Sequence, residues 1–357
     1  MGLSFGKLAF GQWARELGRW VPPAALAHVG QPAALFFHGV EPATADPRLQ
    51  TNHHEVAAFR AILEGLKDFD VLPLTAIDDV LAHPGKHSRS VFLMSDDGYR
   101  NTLTVAADIL DEYRMAWTLF VSTAHIGSGV PNPIFVARLF FLHAPPGRHV
   151  LPHLGEIDLS SEESREKSAL SGIDRLRFLP GEQAEECVAA MRGAFAPGAL
   201  EALIEGFGSE KFLDWDDVRA LHARGVTIGA HADSHWPMHG GQNAAWLTQQ
   251  AAGAKARIEA EVGPCRFFAY PFGNKPDVGA AAWKAVRDAG FSHGFTTLSG
   301  TLAAGRTAAG AGSPTAGGNP WLLPRYGLGP RDSHIASLVP LLCTGNPRLR
   351  RWQARLA

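Results

Sequence analysis

SVFLMSDDGYRNT, residues 90–102, is the stretch that decides the fold of this chain. Its first half is a short apolar run, which is typical of a strand buried on both faces. The run ends at Asp96, Asp97 and Gly98, and a helical pattern follows from about Thr102 to Tyr113. A buried strand, a polar turn and a helix in this order predict one unit of a parallel β/α fold.

The same unit recurs along the chain. Further strands are predicted at 33–40, 117–122, 226–230, 266–273, 291–297 and 322–328, and further helices at 54–68, 215–224, 244–262 and 279–289. This alternation favours a parallel sheet covered by helices. We divide the chain into an N-terminal extension (1–32), a first α/β part (33–126), an insertion (127–212), a second α/β part (213–330) and a C-terminal tail (331–357).

The insertion interrupts the alternation. We predict that it is largely helical and forms a cap over the substrate. Its aromatic residues Phe135, Phe140 and Phe141 have helical spacing, which favours core packing over a wall for stacking sugars. Residues 300–319 are rich in Gly, Ala, Thr and Pro, a composition typical of a mobile loop.

Composition excludes several classes of protein. A net charge of -2 gives no reason to propose a nucleic-acid partner. Three cysteines far apart in sequence speak against a disulfide framework or a cysteine-based zinc site. Polar residues interrupt the N-terminus, so no signal peptide or membrane span is predicted and a cytoplasmic location is expected. The basic tail is interpreted as a solvated helix, with weak contact to a membrane surface as the alternative.

Three polar clusters follow three predicted strands: Asp96-Asp97-Gly98, the pair His231 and His235, and residues 270–273 (YPFG). Because sites in parallel α/β folds form at the carboxyl ends of strands, we expect the three clusters to converge. Two histidines and one carboxylate can hold a divalent metal and leave positions open for hydrolysis. A second carboxylate beside them can act as general base. Taken singly, each cluster is more often a turn or a chance pair than a functional site.

At these residues the chain resembles the polysaccharide deacetylase (NodB-homology) family, carbohydrate esterase family four. SDDGYRNT resembles the family's TFDDG motif, HADSH its His-Ser/Thr-x-x-His motif, and FAYPFG the third motif of one branch. The resemblance covers roughly residues 33–125 and 213–330. It implies a distorted (β/α) barrel of seven or eight strands, here with a helical insertion. The implied activity removes N-acetyl groups from a sugar of a polysaccharide or of its lipid- or nucleotide-linked precursor.

The resemblance also implies roles for individual residues. Asp97, His231 and His235 match the metal ligands, and the implied metal is zinc, with cobalt or nickel as alternatives. Asp96 matches the general base. Phe272, through its backbone N–H, and Tyr270 match the oxyanion and substrate contacts.

Two residues of the family's commoner pattern, an arginine and a histidine, are missing at their usual places, so other residues must take their roles. Ala269 occupies the place of an arginine that orients the base, and we expect Arg325 to replace it; the alternative is a surface arginine. No C-terminal histidine matches the general acid. In the branch that resembles the biofilm-glycan deacetylases this histidine follows the first strand, so His38 is our candidate, and a histidine that caps the strand end is the alternative. Ala232 stands where Ser or Thr is usual, which removes one supporting hydrogen bond.

Other interpretations remain open from the sequence. A hydrolase of another C–N bond, or a degenerate member that only binds glycan, fits the same scaffold. A non-haem iron oxygenase uses the same ligand types, but it needs no second carboxylate. We expect His53, His54 and His125 at the surface or in loops. The partner is an N-acetylated glycan, and the sequence does not predict an oligomeric state.

Overall fold

The computed structural model describes residues 31–302 and 318–329. Its strands are β1 Ala33–Phe37, β2 Gly39–Glu41, β3 His53–Glu55, β4 Asp70–Val71, β5 Ser90–Ser95, β6 Trp117–Val121, β7 Arg148–Leu151, β8 Gly155–Asp158, β9 Thr227–Ala230, β10 Phe267–Ala269, β11 His293–Phe295 and β12 Tyr326–Gly327. Its α-helices are α1 Val56–Leu66, α2 Ile77–Ala82, α3 Ala107–Glu112, α4 Pro133–His143, α5 Glu162–Arg177, α6 Gly181–Gly193, α7 Ala199–Glu205, α8 Trp215–Ala223, α9 Ala244–Thr248, α10 Ala254–Val262 and α11 Ala280–Asp288.

One parallel sheet organises the fold. Its strands lie in the order β11-β10-β9-β6-β5-β1-β12, and β4 also pairs with β5. Every pairing within this sheet is parallel, so the carboxyl ends of its strands lie at one rim. The sheet curls into a half-barrel with helices, which confirms the predicted (β/α) barrel.

Alternate strand residues divide the core into two layers. Leu93 of β5 and Leu119 of β6 belong to the large cluster between sheet and helices. Met94 and Phe120, each one residue further along, belong to a smaller cluster on the other face, inside the curl of the sheet. Successive side chains of a strand point to opposite faces of the sheet. The face on which the first residue after a strand lies can therefore be predicted from the alternation within that strand.

The 127–212 segment builds a hydrophobic cluster of its own. Phe135, Phe140 and Phe141 of α4 are buried there together with residues of α6. These rings therefore pack in a core and form no sugar-stacking wall. The segment also contains the antiparallel pair β7–β8, which the sequence pattern did not predict. The proposed division of the chain into parts stays a prediction.

Three histidines were expected at the surface or in loops: His125 does lie in a turn, but all three are buried, so the expectation of a surface position was wrong. His53 and His54 form β3, which pairs with β2, and His53, His54 and His125 are all less than 7% exposed. Burial lowers the pKa of His54 to about 4. Its Nε2 lies 2.9 Å from the carbonyl of Leu328, while its Nδ1 has no hydrogen-bond partner in the described part of the chain.

The buried His54 predicts acid sensitivity. Between pH 6.5 and about 4, His54 is protonated in the unfolded chain but stays neutral in the folded protein. The free energy of unfolding therefore falls with pH by about 1.4 kcal/mol per unit for this one group. His54→Gln should flatten the pH dependence by about that amount below pH 6, measured by urea unfolding between pH 6 and 5, and should leave it unchanged above pH 7. Exposed His222→Gln is the control, and equal slopes for His54→Gln and the native protein would contradict the assignment.

Several sequence predictions fall outside the described residues. These are the N-terminal extension up to residue 30, most of the 300–319 loop, and the C-terminal tail. Among the residues that the structure describes, no helix is long and apolar enough to cross a membrane. The cytoplasmic location stays a prediction.

Candidate metal and catalytic site

The end of β5 directs two neighbouring carboxylates to the rim of the sheet. Asp96 continues the alternation of Phe92 and Met94 and faces the inside of the curl. Its own N–H still donates to the carbonyl of Phe37, so the β-ladder extends to this residue. Asp97 then leaves the strand with a φ of 78°, which turns its side chain to the same rim.

Two histidines follow β9 two strands away. His231 donates its N–H to the carbonyl of Val121, which extends the pairing of β9 with β6 by one residue. The chain then turns through Ala232 and returns at His235, both with positive φ values near 60°. These turns bring the two imidazoles together, with ring centroids 5.1 Å apart.

Asp97, His231 and His235 converge on one point. The Oδ1 atom of Asp97 lies 3.2 Å from Nε2 of His231 and 2.9 Å from Nε2 of His235. One ligand atom from each of the three residues lies within 4.8 Å of the other two, and all three residues are buried. Asp97 Oδ1 makes no well-formed hydrogen bond in the described part of the chain. A buried, unsatisfied carboxylate oxygen facing two imidazole nitrogens fits a divalent metal ion.

The second nitrogen of each imidazole is also engaged. Nδ1 of His231 lies 2.8 Å from the carbonyl oxygen of Ala269, to which it donates when Nε2 is free to bind a metal. Nδ1 of His235 lies 3.3 Å from the side-chain amide of Asn132. Asn132 is the N-cap of α4, where its Oδ1 accepts the N–H of Ile134. The first helix of the 127–212 segment therefore helps to orient a candidate metal ligand.

Asp96 is held by a buried arginine. Both terminal nitrogens of Arg325 donate to Asp96, with two N–O distances of 2.8 Å. Arg325 directly precedes β12 and is fully buried. The central carbon of its guanidinium lies 4.4 Å from the ring centroid of Phe36. Burial alone raises the pKa of Asp96, but the charges of Arg325 and His231 outweigh it and hold this pKa below its ordinary value. The structure thus excludes the alternative of a surface arginine.

His38 lies between β1 and β2, facing the same group of side chains. Burial lowers its pKa, and the nearby charges of Asp97 and Asp96 oppose that effect. The carbonyl of His38 accepts the hydroxyl of Ser95, which ties the loop to the end of β5. The electrostatic effect of both carboxylates on His38 places this imidazole near Asp96 and Asp97.

The third motif separates into two environments. Phe272 has a φ of 60°, its ring centroid lies 5.5 Å from that of His235, and its N–H has no acceptor in the described part of the chain. Tyr270 instead points into the large core, fully buried, and donates its hydroxyl to the carbonyl of Trp321. Tyr270 continues the alternation of Phe268, so its side chain lies on the other face of β10 and does not join the group.

Left-handed backbone is concentrated at these loops. In the described part of the chain, six residues other than glycine have positive φ, and four of them stand in the three motif loops: Asp97, Ala232, His235 and Phe272. Each such residue costs about 1 to 3 kcal/mol and persists only where its surroundings hold it. Strain of this kind is typical of functional sites.

Sequence reasoning missed a buried layer beneath Asp97. The ring of Tyr99 lies between His53, at 4.7 Å, and Phe212, at 5.2 Å. Burial raises the pKa of Tyr99 well above its ordinary value, and the charges of Glu210 and Asp97 add to this. Burial also raises the pKa of Glu210 to about 8. Tyr99 stands two residues after Asp97, but only the fold brings Glu210 and His53 to it.

Comparison with known proteins agrees with this geometry. The family model described as polysaccharide deacetylase matches residues 83–294, which is more than half of the chain. A search of curated proteins finds no significant match.

Solved structures show the same fold at low sequence identity. The chain is similar to the Streptococcus pyogenes deacetylase PplD in complex with acetate (TM-score 0.53, 15% identity, 87% of this chain and 98% of that chain). It is similar to IcaB from Ammonifex degensii (TM-score 0.53, 15% identity, 87% of this chain and 97% of that chain). It is also similar to the putative polysaccharide deacetylase BA0330 from Bacillus anthracis (TM-score 0.52, 12% identity, 87% of this chain and 69% of that chain).

Proposed function

Since this chain belongs to the polysaccharide deacetylase family, we propose that it is a metal-dependent hydrolase that removes N-acetyl groups from a sugar. Its substrate is a polysaccharide or the lipid- or nucleotide-linked precursor of one. We also assign the chain to the branch with the FAYPFG form of the third motif. One observation carries the proposal: an Asp-His-His group with a second carboxylate beside it, which a buried arginine fixes in place.

Asp97, His231 and His235 would hold the metal. Nitrogen and oxygen ligands of this kind favour zinc, with cobalt or nickel as alternatives. When bound, a divalent ion lowers the pKa of a water molecule and polarises the acetamide carbonyl. The partner of His231 at the carbonyl of Ala269 supports this assignment, because ligating histidines usually donate their second nitrogen to a fixed acceptor.

The remaining residues move and stabilise charge. Asp96, kept ionised by Arg325, takes the proton of the attacking water. The N–H of Phe272 donates to the oxyanion that develops on the acetyl carbonyl oxygen as water attacks the carbonyl carbon. His38 delivers a proton to the sugar nitrogen as the C–N bond breaks. Acetate and a free amine on the glycan are the products.

Release of acetate from N-acetylated oligosaccharides is the direct test. We expect the purified chain to release acetate from a member of a panel that includes chitopentaose, to stop after chelation, and to recover with zinc or cobalt. Acetate is measured enzymatically and bound metal by mass spectrometry. No release despite one bound metal per chain would favour a hydrolase of another C–N bond. No release and no metal would favour a module that only binds glycan.

A further inference from the structure

The 127–212 segment reaches the third-motif loop through Arg177, the last residue of α5. We propose that Arg177 is a positioning residue that holds the backbone of Phe272, and with it the N–H that faces the oxyanion. The catalytic meaning of this contact rests on the proposed function. The contact itself is a property of the structure that can be tested without any substrate.

Arg177 anchors the far end of the loop by an ion pair. Its Nη2 lies 2.5 Å from Oδ1 of Asp277, whose side chain is fully buried. The other oxygen of Asp277 accepts the N–H of Asn274 at 3.1 Å. One carboxylate therefore links Arg177 to the segment that follows Gly273, and a buried carboxylate depends strongly on its cationic partner.

The face of the same guanidinium covers Phe272. The central carbon of Arg177 lies 5.1 Å from the ring centroid of Phe272 and 4.9 Å from that of Phe178. These distances are within the range of cation–π contacts. The Phe272 ring also contacts the imidazole of His235 and packs against the hydrophobic cluster of the 127–212 segment, so Arg177 and a candidate metal ligand contact the same ring.

Phe272 needs such support because its φ of 60° is unfavourable for a residue with a side chain. Its carbonyl is fixed by the hydroxyl of Thr297, and the carbonyl of Gly273 by the N–H of Thr297. These bonds hold the side of the loop after Phe272. The ring contact with Arg177 restrains Phe272 itself, and rotation of φ toward negative values would turn its N–H away from the present direction.

The first measurement compares backbone order. In Arg177→Met we expect amide hydrogen exchange of a peptide covering residues 270–277 to become at least about tenfold faster, because local opening loses its main restraint. Arg175→Met is the matched control: Arg175 lies on the same helix but donates to the carbonyl of Leu154, within the 127–212 segment. If Arg177→Met folds poorly, the double variant Arg177→Met/Asp277→Asn removes the unpaired buried carboxylate. Unchanged exchange in the variant that folds would overturn the proposal.

The second measurement separates positioning from general damage. For chitopentaose and for 4-nitrophenyl acetate we expect Arg177→Met to lower kcat about tenfold to a hundredfold with KM within about twofold, since loss of one oxyanion donor costs about 10²–10³. Bound metal should be unchanged. A fall in kcat with unchanged exchange, or a rise in KM alone, would overturn the proposal. If the native chain hydrolyses neither probe nor any other member of the glycan panel, the proposed function fails, and the exchange comparison alone decides whether Arg177 holds the loop.

Discussion

Replacing Asp96 with asparagine lowers kcat by about two to four orders of magnitude, the contribution typical of a general base, while bound metal stays at the native level. The amide keeps the size of the side chain but cannot take a proton from water. The metal ligands Asp97, His231 and His235 are untouched. The measurement is acetate release together with metal content per chain.

The stability of the Asp96→Asn variant has to be measured in parallel. Arg325 is fully buried and loses its counter-ion in the variant, and breaking a buried pair in this way costs up to about 3 to 5 kcal/mol. Asp233→Asn is the control, because Asp233 lies in the second motif loop and accepts the hydroxyl of Thr123 outside the ligand group. A folded Asp96→Asn variant with near-native kcat would contradict the assignment of Asp96 as base.

The second large effect is expected from His235→Ala. Without this imidazole the ligand group loses one of its three members, so we expect bound metal to fall far below one ion per chain. Acetate release should fall by at least about 10³-fold, since the ion supplies both the activated water and the polarised carbonyl. The readouts are metal content by mass spectrometry and acetate release at several added zinc concentrations.

His293→Asn is the control for His235→Ala, because it removes a buried histidine that lies outside the ligand group. His293 is 5% exposed on β11 and packs against Phe267, and it does not belong to the ligand group. This variant should keep its metal and its activity. Retention of one metal ion and full activity by His235→Ala would show that another set of residues binds the ion.

Much of the site could be predicted from the sequence because a parallel sheet makes strand ends meet. Asp96, Asp97 and His231 each follow a short apolar run, and the structure places all three at one rim. The position of Arg325 follows from the same geometry, since β12 pairs with β1 and β1 pairs with β5. The local pattern was sufficient for the three residues that follow strands, whereas Arg325 was a candidate from its place beside a late strand, and the strand order comes from the structure.

The remaining residues depend on contacts between distant segments. His53 and His54 are polar and follow a turn, and they are buried by pairing with β2 together with contacts to distant segments. Glu210 reaches Tyr99, and Arg177 reaches Phe272, from the 127–212 segment, whose docking no local pattern encodes. Tyr270 is a different case, because the two-residue period of β10 already places it beside Phe268, on the face away from the ligand group.

The pairing of Arg325 with Asp96 has a consequence for synthesis of the chain on the ribosome. The three candidate metal ligands are complete once residue 235 has been made, but Arg325, the partner of the proposed base, comes 90 positions later, directly before the strand that pairs with β1. A nascent or truncated chain that ends before residue 325 can carry every ligand and still lack an oriented base. Under the proposed mechanism, full catalytic competence is therefore coupled to synthesis of the chain through β12 and to docking of β12 beside β1.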